Sequence, residues 1–69
     1  MTSNNEIIAE VIEMLGDGRY KLNCDDGINR IGLLRGSLRR HLNLQMGDKV
    51  IIKLLEFEIK KCEIISKKN

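Results

Sequence analysis

Proline and tryptophan are absent from this chain, and Tyr20 and Phe57 are its only aromatic residues. Without proline, no strand ladder loses an N–H donor to an imino acid. With so few rings, the chain lacks the row of aromatic platforms on which sequence-neutral single-strand binders stack bases. The aromatic signatures of cold-shock and RRM modules are missing as well. Cysteine is scarce: Cys24 and Cys62 lie far apart and follow no signal peptide, so a secreted disulfide framework is not expected. Their spacing does not match a zinc site, and His41, the single histidine, cannot complete one. The two cysteines are expected as small buried thiols.

No apolar run approaches the ~20 residues that span a bilayer, so a soluble, cytoplasmic protein without a membrane role is expected. Catalytic patterns are missing too. No nucleophile stands beside a histidine, no glycine-rich loop leads into Lys-Ser/Thr, and no acidic cluster suits a metal. A non-enzyme with no cofactor, no metal and no catalytic residue is the expectation.

The chain does hold a foldable composition, 42% hydrophobic and 32% charged over 69 residues, enough for a single small domain. The net charge of +2 is weak, but its distribution is uneven. Residues 27–47 carry four arginines, a histidine and no acid, whereas seven of the ten acids lie within residues 1–26 and at Asp48. That asymmetry predicts one basic face on a nearly balanced protein.

Strands and tight turns account for the pattern. Residues 6–15 fit a helix face about as well as a strand, but Gly16-Asp17-Gly18 follows as a hairpin turn. The next segment alternates, with Tyr20, Leu22 and Cys24 on one side and Arg19, Lys21 and Asn23 on the other. Apolar residues on both sides of the first strand suit a long coiled strand buried by different sheets at its two ends. Asp25-Asp26-Gly27 is a second turn, and Ile28 to Arg35 is a third strand. Gly36 ends that strand, Ser37 is placed as a helix N-cap, and Leu38 and Leu42 face the core from one short helix. Met46-Gly47-Asp48 turns into a fourth strand, Lys49 to Leu55, with Val50, Ile52 and Leu54 inward. A fifth strand, Lys60 to Ser66, turns Cys62 and Ile64 inward, and residues 1–5 and 67–69 are expected to be flexible.

Five short strands with one small helix between the third and fourth is the plan of an all-β OB-fold barrel. An SH3-like barrel and an α+β sandwich with residues 6–15 helical are the competing arrangements.

The stretch from Gly32 to Arg40 carries the functional signal. A hydrophobic strand breaks at Gly36 and runs into a segment bearing Arg35, Arg39 and Arg40, a rigid corner suited to phosphates. Arg30, on the third strand, either contacts RNA or pairs with Glu13 or another acid. Lys53, flanked by outward Ile51 and Leu55, gives a half-apolar, half-basic strip, and Lys60 and Lys61 extend the basic face. His41 offers an imidazole for stacking or a plain surface role. Recognition of a folded RNA through its phosphates is the function class this favours. A general RNA-binding or RNA-chaperone module and a protein-interaction module using Ile51, Leu55 and Phe57 are the alternatives.

Taken in order, Val11 through Arg19, Cys24 through Gly27, Arg30, and Arg35 through Arg40 resemble translation initiation factor 1A. That is the archaeal and eukaryotic relative of bacterial initiation factor one. Gly36-Ser37-Leu38-Arg39-Arg40 and Met46 through Val50 also resemble the bacterial factor, and the similarity runs over residues 8–67. The resemblance implies an S1-type OB barrel that binds rRNA of the small ribosomal subunit in the decoding region, at the A site. It implies a helping role in initiator tRNA placement. A monomer is expected, with a ribosomal protein and other initiation factors as further partners.

The implied RNA-binding residues are Arg30, Arg35, Ser37, Arg39, Arg40, His41, Lys53, Lys60 and Lys61. The chain departs from the family at Leu33, where a histidine is common, in its short loop near Phe57, and in having only short segments outside the barrel. It is expected to be either a minimal homologue or a piece of a longer protein.

Overall fold

The computed structural model describes residues 5–68; the termini at residues 1–4 and 69 lie outside the described residues. Five strands are present: β1 (Glu6–Gly16), β2 (Arg19–Cys24), β3 (Asn29–Leu33), β4 (Lys49–Leu55) and β5 (Glu58–Lys68). A helix, α1 (Leu38–His41), joins β3 to β4. The strands close into a barrel in the order β1-β2-β3-β5-β4, with β3 and β5 parallel and the other pairs antiparallel.

Residues 6–15 are strand, as the following hairpin turn indicated. β1 pairs with β4 through Glu6–Glu10 and with β2 through Ala9–Gly16, so one strand serves both neighbours. Ala9 and Val11 are buried, whereas Met14 and Leu15, at the end paired only with β2, are exposed, so burial of both ends by different sheets is not what this strand shows. Ala9 and Glu10 pair with both neighbours, and register shifts between Val11 and Glu13 and between Met14 and Gly16 bend the strand further along its pairing with β2. The β1–β2 turn is a two-residue loop, Asp17-Gly18, with φ of 55° and 74°, the left-handed pair that matches strand twist.

Ala9, Val11, Leu22, Cys24, Val50, Ile52, Cys62 and Ile64 fill the barrel, with Tyr20, Leu38, Leu42 and Leu54 packed on them. The inward alternation in β2, β4 and β5 follows from the two-residue period of the pleat. Both cysteines are free and buried. Burial pushes the Cys62 thiol up to about 12 and also raises Cys24, whose shift is partly offset by Arg30. Gly32 makes the interior close: a Cβ there would sit 2.5 Å from Leu22 Cδ1 and 3.0 Å from Ile64 Cγ1. The space a side chain would occupy is already filled by those two residues.

Several expected boundaries differ. β3 is Asn29–Leu33, shorter than the expected Ile28 to Arg35, although the Leu34 N–H still bonds Gly18 O at 2.8 Å, one step on in the β2–β3 register. Lys67 and Lys68, expected to be frayed, pair with Val50 and Lys49 in β5, and Lys67 Nζ reaches Asp48 Oδ2 at 3.4 Å. Asn5 is also tied down, its carbonyl accepting the Leu54 N–H at 2.6 Å. Leu44 is a core residue that periodicity does not reveal, since it lies in the loop after α1. That loop is fastened to the middle of β1, where the Gly47 N–H donates to Val11 O and the Val11 N–H to Asp48 O.

Among the described residues, no helix is long and apolar enough to cross a membrane.

Candidate nucleic-acid interface

The corner after β3 is held by backbone bonds rather than by a cap. Gly36 has φ of 57°, and three i→i+3 bonds follow, from Leu38 N–H to Arg35 O, Arg39 N–H to Gly36 O and Arg40 N–H to Ser37 O. Ser37 occupies the N-cap position expected from the sequence, but it does not cap with its side chain. Its backbone is already helical, with φ −64° and ψ −25°, and its side chain makes no capping bond. The tight 3₁₀-type start satisfies the first donors instead, which leaves the Ser37 hydroxyl at the exposed corner for another acceptor.

This tight turn seats Leu38 and Leu42 on the barrel while Arg39, Arg40 and His41 stay exposed. Arg39 is directed by contact with the β1–β2 turn. A Cβ on Gly18 would lie 2.8 Å from Arg39 Nε and 2.9 Å from Leu34 O, so the arginine stem runs over the bare glycine. The corner is therefore built from the β1–β2 turn, the end of β3, and α1. Arg35 stands at its edge, 72% exposed, with its Nη1 3.5 Å from Glu63 Oε2. An exposed ion pair of that length is weak and open to exchange for a phosphate.

The β-sheet face beside the corner adds cations that the sequence reading passed over. Arg19 pairs with Leu33, and Lys21 with Ile31, whose other neighbour is Lys61. Directly opposed residues share a face, so Lys21, Ile31 and Lys61 form one row and Arg19, Leu33 and Glu63 the next. Alternation had already put Arg19 and Lys21 outward; what it lacked was the parallel β3–β5 pairing that sets Lys21 in one row with Lys61 and Arg19 in one row with Glu63. Leu33 is half-buried in the second row.

Two expected site residues are placed elsewhere. Arg30 is 5% exposed, and its guanidinium donates to both Asp26 oxygens, at 3.0 and 2.9 Å, and to Ile59 O at 2.8 Å. Of the two readings left open for Arg30, ion pairing is the one built here, with Asp26 rather than Glu13 as its partner. The bidentate bond with Asp26 raises the Arg30 pKa and, with the Ile28 N–H, holds Asp26 below the usual carboxylate range. These bonds lock the β2–β3 turn to the start of β5 and leave little of Arg30 for RNA.

Lys53 is paired across the ladder with Glu6 on one side and Glu63 on the other, so two acids flank it. Lys60 is exposed in the segment where β5 bulges away from β4 between the Leu54 and Leu55 pairings.

Among the described residues, no three His, Cys, Asp or Glu side chains gather as a metal site.

The family model described as "Translation initiation factor 1A / IF-1" matches residues 1–69. Translation initiation factor 1A of Pyrobaculum aerophilum is 48% identical over 67 residues, covering 97% of this chain and 59% of that protein. Eukaryotic translation initiation factor 1A of Schizosaccharomyces pombe is 39% identical over 62 residues, 90% of this chain and 45% of that protein. The chain thus spans about half the length of the relatives it matches. The solution structure of translation initiation factor one from the Wolbachia endosymbiont of Brugia malayi superposes with a TM-score of 0.70 at 22% identity. That superposition covers 93% of this chain and 77% of the other, which makes the fold an OB barrel. With the family model matched from end to end and a relative at nearly half identity, this chain belongs to the translation initiation factor 1A / IF-1 family.

Proposed function

We propose that this chain is a non-catalytic initiation factor that binds rRNA of the small ribosomal subunit in the decoding region. It occludes the A site and helps initiator tRNA settle in the neighbouring site. The observation that carries this reading is the pinned arginine corner. Arg39 is aimed by the Gly18 turn, Arg40, His41 and Ser37 lie exposed beside it, and Arg35 sits in an exchangeable ion pair. Arg19, Lys21 and Lys61 extend the surface over the β2–β3–β5 face. Family membership supports the subunit as the RNA in question.

The mechanism is positional. With only Tyr20 and Phe57 as aromatic platforms and a cluster of exposed arginines, the barrel suits a folded RNA read through its phosphates rather than a strand of stacked bases. Charge-assisted bonds from guanidinium groups fix its register on the phosphates. In this reading the chain acts as one RNA-binding unit, a cytoplasmic monomer over residues 1–69.

The deciding measurement is binding to purified small subunits by wild type and by Arg39→Glu/Arg40→Glu. The variant exchanges two attractions for two repulsions and should lose binding steeply while its circular dichroism and thermal midpoint stay close to wild type. Unchanged binding would remove the corner from the interface.

A further inference from the structure

One acid stands on the cationic face. Where β2, β3 and β5 pair, the outward rows are Asn23–Asn29, Lys21–Ile31–Lys61 and Arg19–Leu33–Glu63, and Glu63 is the only carboxylate in them. Three cations surround it. Arg35 Nη1 lies 3.5 Å from Glu63 Oε2, and Lys53 is the directly opposed residue on β4. Arg19 is two strands away with only Leu33 between, about 10 Å at ~4.8 Å per strand. An ion pair to an arginine as exposed as Arg35 adds little to stability, so the strength of the fold does not account for Glu63.

The carboxylate is also confined. The Glu63 side chain is only 30% exposed, and with Arg35 it lines a hollow of about 130 Å³ whose other walls are Leu33, Leu38, Ile64 and Ile65. A glutamate standing free in solvent would swing away from an incoming phosphate. This one is kept among the very cations that a phosphate would seek.

Without that charge, Arg19, Arg35 and Lys53 would offer a line of cations across the face, beside the row of Lys21 and Lys61. A flexible RNA strand binds by laying successive phosphates along whatever cationic track is open to it. Glu63 interrupts the track, since all three cations fall within the ~8–10 Å over which charge is felt at physiological salt. A folded RNA holds its phosphates at fixed places. It can meet the arginine corner and leave the position over Glu63 empty.

We infer that Glu63 is a specificity-determining residue, a built-in carboxylate that turns the phosphates of flexible RNA away from the Arg19–Lys53 row and so favours a folded RNA bound at the Arg35, Arg39 and Arg40 corner. Discrimination comes from what a surface rejects as well as from what it holds. The inference rests on the subunit-binding reading above and deepens it.

The test measures binding of purified small subunits and of polyuridylate, a strand without stable structure, by wild type and three variants. Glu63→Gln keeps the shape and removes the charge. It should raise polyuridylate affinity about fivefold or more at low salt, with a smaller gain at high salt, and change subunit affinity by less than about twofold. Its circular dichroism should match wild type. Glu63→Asp, which keeps the charge, should stay near wild type with both partners. Glu56→Gln removes one charge from the β4–β5 turn and should leave the ratio of the two affinities as it is.

Unchanged polyuridylate affinity in Glu63→Gln would overturn the inference. An equal rise with both partners, or the same shift in ratio from Glu56→Gln, would reduce Glu63 to net charge and overturn it too. Lost subunit binding in Glu63→Gln would make the carboxylate a support for Arg35, and a Glu63→Asp variant that behaves like Glu63→Gln would assign the effect to shape. Those outcomes all overturn the role of Glu63 alone. A wild-type chain that does not bind subunits would overturn both this inference and the reading it rests on.

Discussion

Arg39 lies across Gly18 so closely that a single added methyl on the glycine would come within 2.8 Å of the guanidinium Nε. A hairpin glycine therefore has two roles here. It supplies the left-handed backbone of the turn, at φ 74°, and it leaves the trough along which the Arg39 side chain runs.

The two roles separate by mutation. Gly18→Ala should lose stability by about 1 kcal/mol or more from backbone strain, and should also weaken small-subunit binding by displacing Arg39. Gly16→Ala meets the same kind of strain, at φ 85°, but nothing lies within 4 Å of its Cβ. It should lose stability with little change in binding. Chemical denaturation and subunit binding of the two variants, measured side by side, check this; an equal drop in binding would mean that the turn and not the Arg39 interaction matters.

Salt dependence reports how many phosphates the corner holds. For Arg39→Ala/Arg40→Ala, the log–log slope of affinity against salt should flatten by about 0.7–0.9 for each phosphate no longer held. Lys68→Ala, at the far end of β5, is the control and should leave the slope nearly as it is. Lys67 does not suit the control, because its ammonium pairs with Asp48.

Core packing sets a ranking that thermal or denaturant unfolding can read. Leu44→Ala, at a fully buried loop position, should cost about 2–5 kcal/mol. Leu38→Ala, half-buried under α1, should cost less, about 1–2 kcal/mol. Gly32→Ala adds volume where Leu22 and Ile64 leave none and should cost about 1–3 kcal/mol. A Gly32→Ala variant as stable as wild type would mean that the barrel expands freely at that point.

Asp26 should govern part of the acid response. Its folded pKa is depressed, first by Arg30 and then by the Ile28 N–H, so its stabilisation is present above the unfolded carboxylate pKa. It is lost as pH falls through the lower folded value. Asp26→Asn should therefore melt below wild type at pH 7, and the two midpoints should converge as pH falls to about 2. A gap independent of pH would mean that shape, and not charge, makes the Arg30 interaction.

Much of this was legible in one sequence because strand signals are local. The Asp17-Gly18 turn, the alternation in β2 and β4, and the break at Gly36 each depend on a few adjacent residues. Boundaries were less legible where a distant group takes over a backbone bond. Lys67 and Lys68 are held in a ladder by Val50 and Lys49, and the Leu54 N–H bonds Asn5 O. The site divides the same way. Arg35, Arg39 and Arg40 stand out as a cluster in the chain, whereas Arg30 looked equally free until Asp26 and Ile59 took up its donors.

By itself, the sequence determined the class of the protein. Proline-free alternating segments with glycine turns make a small all-β barrel, and ordered motifs place it among initiation factors of the 1A type. Only the tertiary structure decided which cations serve together. Whether Lys21 shares a row with Lys61, or Lys53 lies between Glu6 and Glu63, depends on which strands pair and in what register. Period-two alternation tells which way a side chain faces but not what stands beside it. The parallel β3–β5 closure, which joins Ile31 to Lys61 and Leu33 to Glu63 across half the chain, is what makes those neighbours.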